Sequence, residues 1–244
     1  MDLLVVLWAI AFILLVEARH TVSPTFTFTL SRWVMASGVL LTGIVALLFA
    51  NSGLINLIVN PATGQATPLF WVALFAPLAL VFALGFGINR MSAGTAQALF
   101  WGYAALIGVQ FSSLFLVYTG TSIAQTFFAV SAAFLGLSLY GYTTKRDLSG
   151  MGSFLIMGVV GLFVAMLINL FLRSPAMDLA ISAIGVLLFA GLTAYDTQKI
   201  KSVYFQVSGY GEAVAKSAVM GALTLYLDFI NMFLFLLRFM GDRR

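Results

Sequence analysis

Apolar runs of about 20 residues, each long enough as a helix to cross a bilayer's hydrocarbon core, constrain this chain more than any other feature. Reading between charges and turn residues, they fall at about Trp33 to Ala50, Leu69 to Ile88, Gln97 to Val117, Ile123 to Tyr142, Phe154 to Leu172, Leu179 to Gln198 and Ser217 to Leu237. With 62% hydrophobic and only 8% charged positions among 244 residues, a soluble domain could not hide so much apolar surface. The chain therefore reads as an all-α polytopic membrane protein with seven transmembrane helices and the lipid bilayer as its solvent. The connections are short and no Pro-rich or Gly/Ser-rich linker divides them, so residues 29–244 read as one membrane domain without a visible internal repeat.

Residues 1–28 form an atypical hydrophobic segment. Leu3 to Val16 is apolar but reaches only about 21 Å as a helix, short of a comfortable span. It fits a short extra hydrophobic helix, an interfacial segment or a signal-peptide core. Against the last, Asp2 is the only charged side chain before the run, and Val16-Glu17-Ala18 is a loose cleavage-site match.

Loop charges orient the spans. Alternating sides from Trp33 onward gives one side Arg19, Arg32, Arg90, Lys145, Arg146, Lys199, Lys201 and Lys216, and the other only Arg173 until the tail. The first side is cytoplasmic by the positive-inside rule, although Arg238, Arg243 and Arg244 then fall outside if the last segment crosses. A net charge of +4 needs no nucleic acid to explain it, and the absence of cysteine excludes thiolate metal sites and thiol nucleophiles. His20, alone in a polar connection, lacks the neighbours of a metal ligand. Gly38, Gly43, Gly108 and Gly136 read as positions of close helix packing.

Two acids stand out. Asp228 lies near the middle of the otherwise uncharged run Ser217 to Leu237, where an ionisable group costs on the order of 3 kcal/mol and marks a functional site by default. Asp196 closes the sixth span, with Thr193 and Thr197 on its helix face, while Thr224 and Asn231 share a polar stripe with Asp228. A plainer reading pairs Asp196 with Lys199 at the interface and uses Asp228 only to hold helices together. If the two acids meet, close carboxylates in a low dielectric resist double ionisation and titrate as a unit. Such a pair suits a pH switch. Ionised, it attracts a cation, but tight calcium binding wants six to eight oxygens, so Asp196 and Asp228 with Asn231, threonine hydroxyls and water suggest weak, transient calcium binding. Arg90 is either a counter-charge that latches the pair or a topology determinant at the interface.

The local sequences around these residues resemble the Bax inhibitor-1, or transmembrane Bax inhibitor motif, family in its bacterial branch. The resemblance rests on Gly191-Leu192-Thr193-Ala194-Tyr195-Asp196-Thr197-Gln198-Lys199-Ile200 and Leu225-Tyr226-Leu227-Asp228-Phe229-Ile230-Asn231. Further matches are Arg90-Met91-Ser92 with Thr95-Ala96, Phe115 to Thr119, and Tyr140 to Leu148, so that it runs from about Ser31 to the C-terminus. It implies a seven-helix bundle in the bacterial cytoplasmic membrane and a pH-sensitive calcium leak. In that leak, Asp196 and Asp228 are the proton-sharing gate and Arg90 is the nearest candidate for a latch. It implies no catalysis and no cofactor, calcium being the permeant ion. Eukaryotic members are tied to suppression of cell death and some bacterial members to restraint of a membrane protease, which makes a protease a candidate partner.

Helix arithmetic opposes the pairing. If Lys199 and Lys216 mark one interface, Asp196 is about 4.5 Å deep and Asp228 about 18 Å deep. Contact then requires the seventh helix to project into the cytoplasm or Lys199 to sit in a hydrated vestibule. Two other functions compete. An intramembrane aspartyl protease would share Tyr195-Asp196, but Asp228 follows Leu225-Tyr226-Leu227 rather than Gly-x-Gly, and a serine protease would need a membrane-embedded histidine. A non-conducting regulatory protein that binds a partner is compatible with every residue named.

Overall fold

The helices begin and end where the sequence supplies the means. A computed structural model describes residues 26–207 and 211–244, and among these the long helices are α1 (Phe26–Asn51), α2 (Pro68–Gly87), α3 (Ala93–Ser112), α4 (Gly120–Thr143), α5 (Ser149–Leu172), α6 (Pro175–Val207) and α7 (Gly211–Met240). All seven are long and apolar enough to cross a membrane. The hydrophobic run Leu3 to Val16 and His20 lie outside the described residues. Pro68 opens α2, where a missing N–H costs nothing. The hydroxyls of Ser92 and Thr119 cap α3 and α4 by accepting from the N–H groups of Thr95 and Ser122, both at 3.2 Å.

α6 and α7 differ most from the expected boundaries. α6 continues past Gln198 to Val207, and α7 starts at Gly211, ahead of Ser217. Both helices thus carry charged turns, and Glu212 pairs with Lys216 at 3.2 Å along one face of α7.

By contacts the chain divides into two units. The first holds α1, α2, α3 and the start of α7 through Leu223, and the second holds α4, α5, α6 to Gln206 and α7 from Thr224. In the first, Gly108 of α3 meets α1 so closely that an added Cβ would lie 2.7 Å from the Thr42 carbonyl oxygen and from the Val45 Cβ. The Thr42 hydroxyl reaches the Ala104 carbonyl at 2.9 Å across the same contact. Pro77, inside α2, has no N–H to give Ala73, and the Gln110 side-chain amide of α3 donates to that carbonyl at 2.8 Å instead. Hydrocarbon offers no water to do this, so the replacement must come from a neighbouring helix.

In the second unit α6 is held at several glycines. A Cβ on Gly141 of α4 would fall against the Ala194 carbonyl, one on Gly152 of α5 would lie 2.5 Å from the Tyr195 ring, and one on Gly191 would lie 2.9 Å from Leu155. Phe229 of α7 packs edge-on against Phe127 and Phe134 of α4, with ring centroids 5.7 and 5.6 Å apart. Among the described residues, Gly43 and Gly136 meet nothing within 4 Å of an added Cβ, so the expectation of close packing is not met there by any described helix. Large side chains such as Phe86 and Phe171, 83% and 85% exposed, are tolerable because hydrocarbon surrounds them.

The last turn of α7 and the residues after it are tied to the starts of α4 and α6. Arg238 lies 3.6 Å from Asp178 at the start of α6, and Asp242 is bonded to Thr119 and Ser122 at the start of α4. These helix starts are at the opposite ends of α4 and α6 from Lys145 and Lys199, so the last turn of α7 lies at the other end of the second unit from those lysines, with the charge of Arg238 matched. Gly108→Ala is expected to destabilise the protein by about 1–3 kcal/mol, because the clash is with backbone. Thermal unfolding in detergent should show a lowered midpoint for Gly108→Ala and an unchanged one for Gly43→Ala.

Candidate functional site

Asp196 and Asp228 are buried, at 8% and 3% exposure, and their side chains are hydrogen-bonded to each other. A carboxylate accepts and cannot donate, so a bond between two acids requires a proton on one of them. The structure therefore brings together the two acids that the depth arithmetic keeps apart. That arithmetic places the interface at Lys199, whereas α6 runs on to Val207. Lys201 is also turned back into the protein, donating to the Tyr142 carbonyl at 2.8 Å with its ammonium 4.5 Å from the centre of the Tyr142 ring. Lys201 is thus engaged by protein, and the helix continues beyond the two lysines.

The neighbouring polar residues are arranged differently from the acids. The Thr193 and Thr197 hydroxyls donate to the carbonyls of Phe189 and Thr193 at 2.8 and 2.7 Å, and the Asn231 amide donates to Leu227 at 2.8 Å. Their donors are thus committed to their own helices. Thr224 is half-buried on α7. Asp228 Oδ2 is buried without a hydrogen-bond partner among the described residues. Lys199 is one helical turn from Asp196, and its charge acts on that carboxyl. Arg90 belongs to the first unit and is exposed in the short 3-10 turn Ile88–Arg90 that follows α2.

Gln198 has a role that its sequence position does not disclose. Its side-chain oxygen accepts from the Leu148 N–H at 2.9 Å and its amide donates to the Arg146 carbonyl at 2.8 Å, so it ties the α4–α5 connection to α6. The one signal in the sequence is its place beside Asp196 in the same motif. Among the described residues no group of three or more histidines, cysteines or acids converges, so the carboxyl oxygens at the site come from two residues.

These features define a class: an integral, all-α membrane protein of seven spans with a buried pair of interacting carboxyls on its last two helices. The model of the family described as inhibitor of apoptosis-promoting Bax1 matches residues 32–244, and the chain belongs to that Bax inhibitor-1 family. It is 51% identical over 212 residues to the uncharacterized protein RP147 of Rickettsia prowazekii, covering 86% of each chain. It is 47% identical over 212 residues to the inner membrane protein YbhL of Escherichia coli, covering 86% of this chain and 88% of that one. A Deinococcus radiodurans protein is 48% identical over 222 residues, 90% of this chain and 91% of its own. Seven apolar helices and this kinship make the chain an integral protein of the bacterial inner membrane.

Because the chain has no cysteine, the contact can be read directly. The double variant Asp196→Cys, Asp228→Cys is expected to be crosslinked by mercuric ion or a short bifunctional thiol reagent, seen as a mass increase of one linker with no free thiol. Adding Gly141→Val should abolish the crosslink. A folded double variant that retains two free thiols would contradict the contact.

Proposed function

We propose that the chain is a pH-sensitive leak for calcium and other cations, gated by a proton shared between Asp196 and Asp228. The observation that carries this reading is the buried hydrogen bond between the two side chains, on helices that cross the membrane. A lone buried acid would hold helices together in either state, but a pair joined through one proton has two states with different geometry. With the proton, the carboxyls attract each other. Without it, two adjacent negative charges repel, and their oxygens become ligands for a cation.

A two-carboxylate site with few other oxygens binds calcium weakly, which suits passage rather than storage. In this reading calcium is cargo, and no residue is assigned a catalytic step.

Calcium entry into proteoliposomes over a range of pH tests the proposal. Wild-type flux is expected to change with pH, and Asp228→Asn or Asp196→Asn, which cannot ionise, should flatten that dependence by tenfold or more across the transition. Flux equal and pH-independent in all three proteins would refute the gate. No flux in wild type, with partner binding intact in the variants, would favour a regulatory protein that conducts nothing.

A further inference from the structure

A second site lies on the second unit, next to the acid pair. The connection between α4 and α5 and the charged part of α6 enclose an open cavity of about 330 Å³ lined by Lys145, Arg146, Asp147, Tyr195, Gln198 and Lys199, with serines at its edges. Three of these side chains are cationic, and none of the three is in an ion pair with another described residue. The only acid in the lining, Asp147, is already engaged: it accepts from the Ser149 N–H at 2.9 Å. Hydrogen bonds from the side chain and backbone of Ser149 hold its carboxyl below the usual carboxylate range, so it is ionised at neutral pH. The lining therefore carries an excess of positive charge.

The walls are built rather than incidental. Gln198 uses both ends of its amide to hold the connection, and Lys201 fastens α6 to the end of α4 through the Tyr142 carbonyl and ring. Lys145 and Arg146 consequently project from a connection whose backbone is fixed to α6. A charge cluster serving only to orient the protein in the membrane would need no such fastening. Lys145, Arg146 and Lys199 are exposed while Tyr195 and Gln198 are half-buried, which gives a polar floor and a cationic rim.

We propose that this cavity binds a phosphate group, gripped by Lys145, Arg146 and Lys199. A phosphate presents several strong acceptor oxygens, and the rim offers matching donors: a guanidinium fork and two ammonium groups. An isolated carboxylate would use only part of that set. The phosphate has two sources that share this chemistry, the headgroup of an anionic phospholipid in the adjacent leaflet and a soluble phosphate compound. The site adjoins the acid pair, since Lys199 also acts on the Asp196 carboxyl, but its binding test reads no ion flux.

Purified protein distinguishes the sources and tests the site. Nanodiscs of phosphatidylcholine with and without phosphatidylglycerol report the lipid arm, through lipids retained in native mass spectrometry, and titration with inorganic pyrophosphate in detergent reports the soluble arm. Wild type is expected to bind in at least one arm, and Lys145→Gln with Arg146→Gln should weaken that binding about tenfold. The charge-matched control Arg173→Gln with Lys216→Gln should leave it unchanged, and Arg146→Lys should fall between, because it keeps the charge and loses the fork. Equal loss in the two double variants, no binding in either arm, or preference for an acidic peptide over both probes would overturn the proposal. Circular dichroism and gel filtration on each variant separate lost binding from lost fold.

Discussion

The approach of α4 to α6 at Gly141 and Ala194 underlies both sites on the second unit. With only a hydrogen at Gly141, the α6 backbone comes into contact with α4, and Gly152 then gives the Tyr195 ring its place against α5. These two contacts fix the rotation and height of α6 over the turn that contains Asp196. The same turn carries Gln198 and Lys199, so the geometry that sets the buried acid also aims the residues of the basic cavity. In a membrane this precision comes from packing rather than from hydrophobic exclusion, since lipid chains are as apolar as leucine.

Inside the bundle, several polar groups are answered by protein. The Ala73 carbonyl freed by Pro77 is taken by Gln110, threonine hydroxyls return to their own helices, and one acid is answered by another. The first two arrangements are permanent. The last depends on a proton, and that makes it the one polar contact here whose existence varies with the medium.

Much of this is legible in the sequence, and what is not has definite causes. The spans are visible because uninterrupted apolar runs of that length suit a bilayer and little else, and Asp228 is visible because charge in such a run is anomalous. The depth of Asp196 misleads because Lys199 and Lys201 look like surface markers, whereas Lys201 is spent on Tyr142 and the helix continues beyond both. Glycines are the least legible. Gly108 and Gly141 meet backbone, while Gly43 and Gly136 meet nothing among the described residues, and the difference lies in which face of a helix has a described neighbour. Gln198 is hidden for a similar reason, since its partners are backbone atoms about fifty positions away.

The fastening of the chain's end bears on how the protein is made. In the orientation that the loop charges predict, translocating Arg238, Arg243 and Arg244 runs against the charge bias that directs insertion, and Arg238 is matched by Asp178 at the start of α6. An acid and a base that travel on the two legs of a hairpin cross as a nearly neutral unit, whereas either leg alone would carry its charge unmatched. α6 and α7 are thus suited to enter the bilayer together.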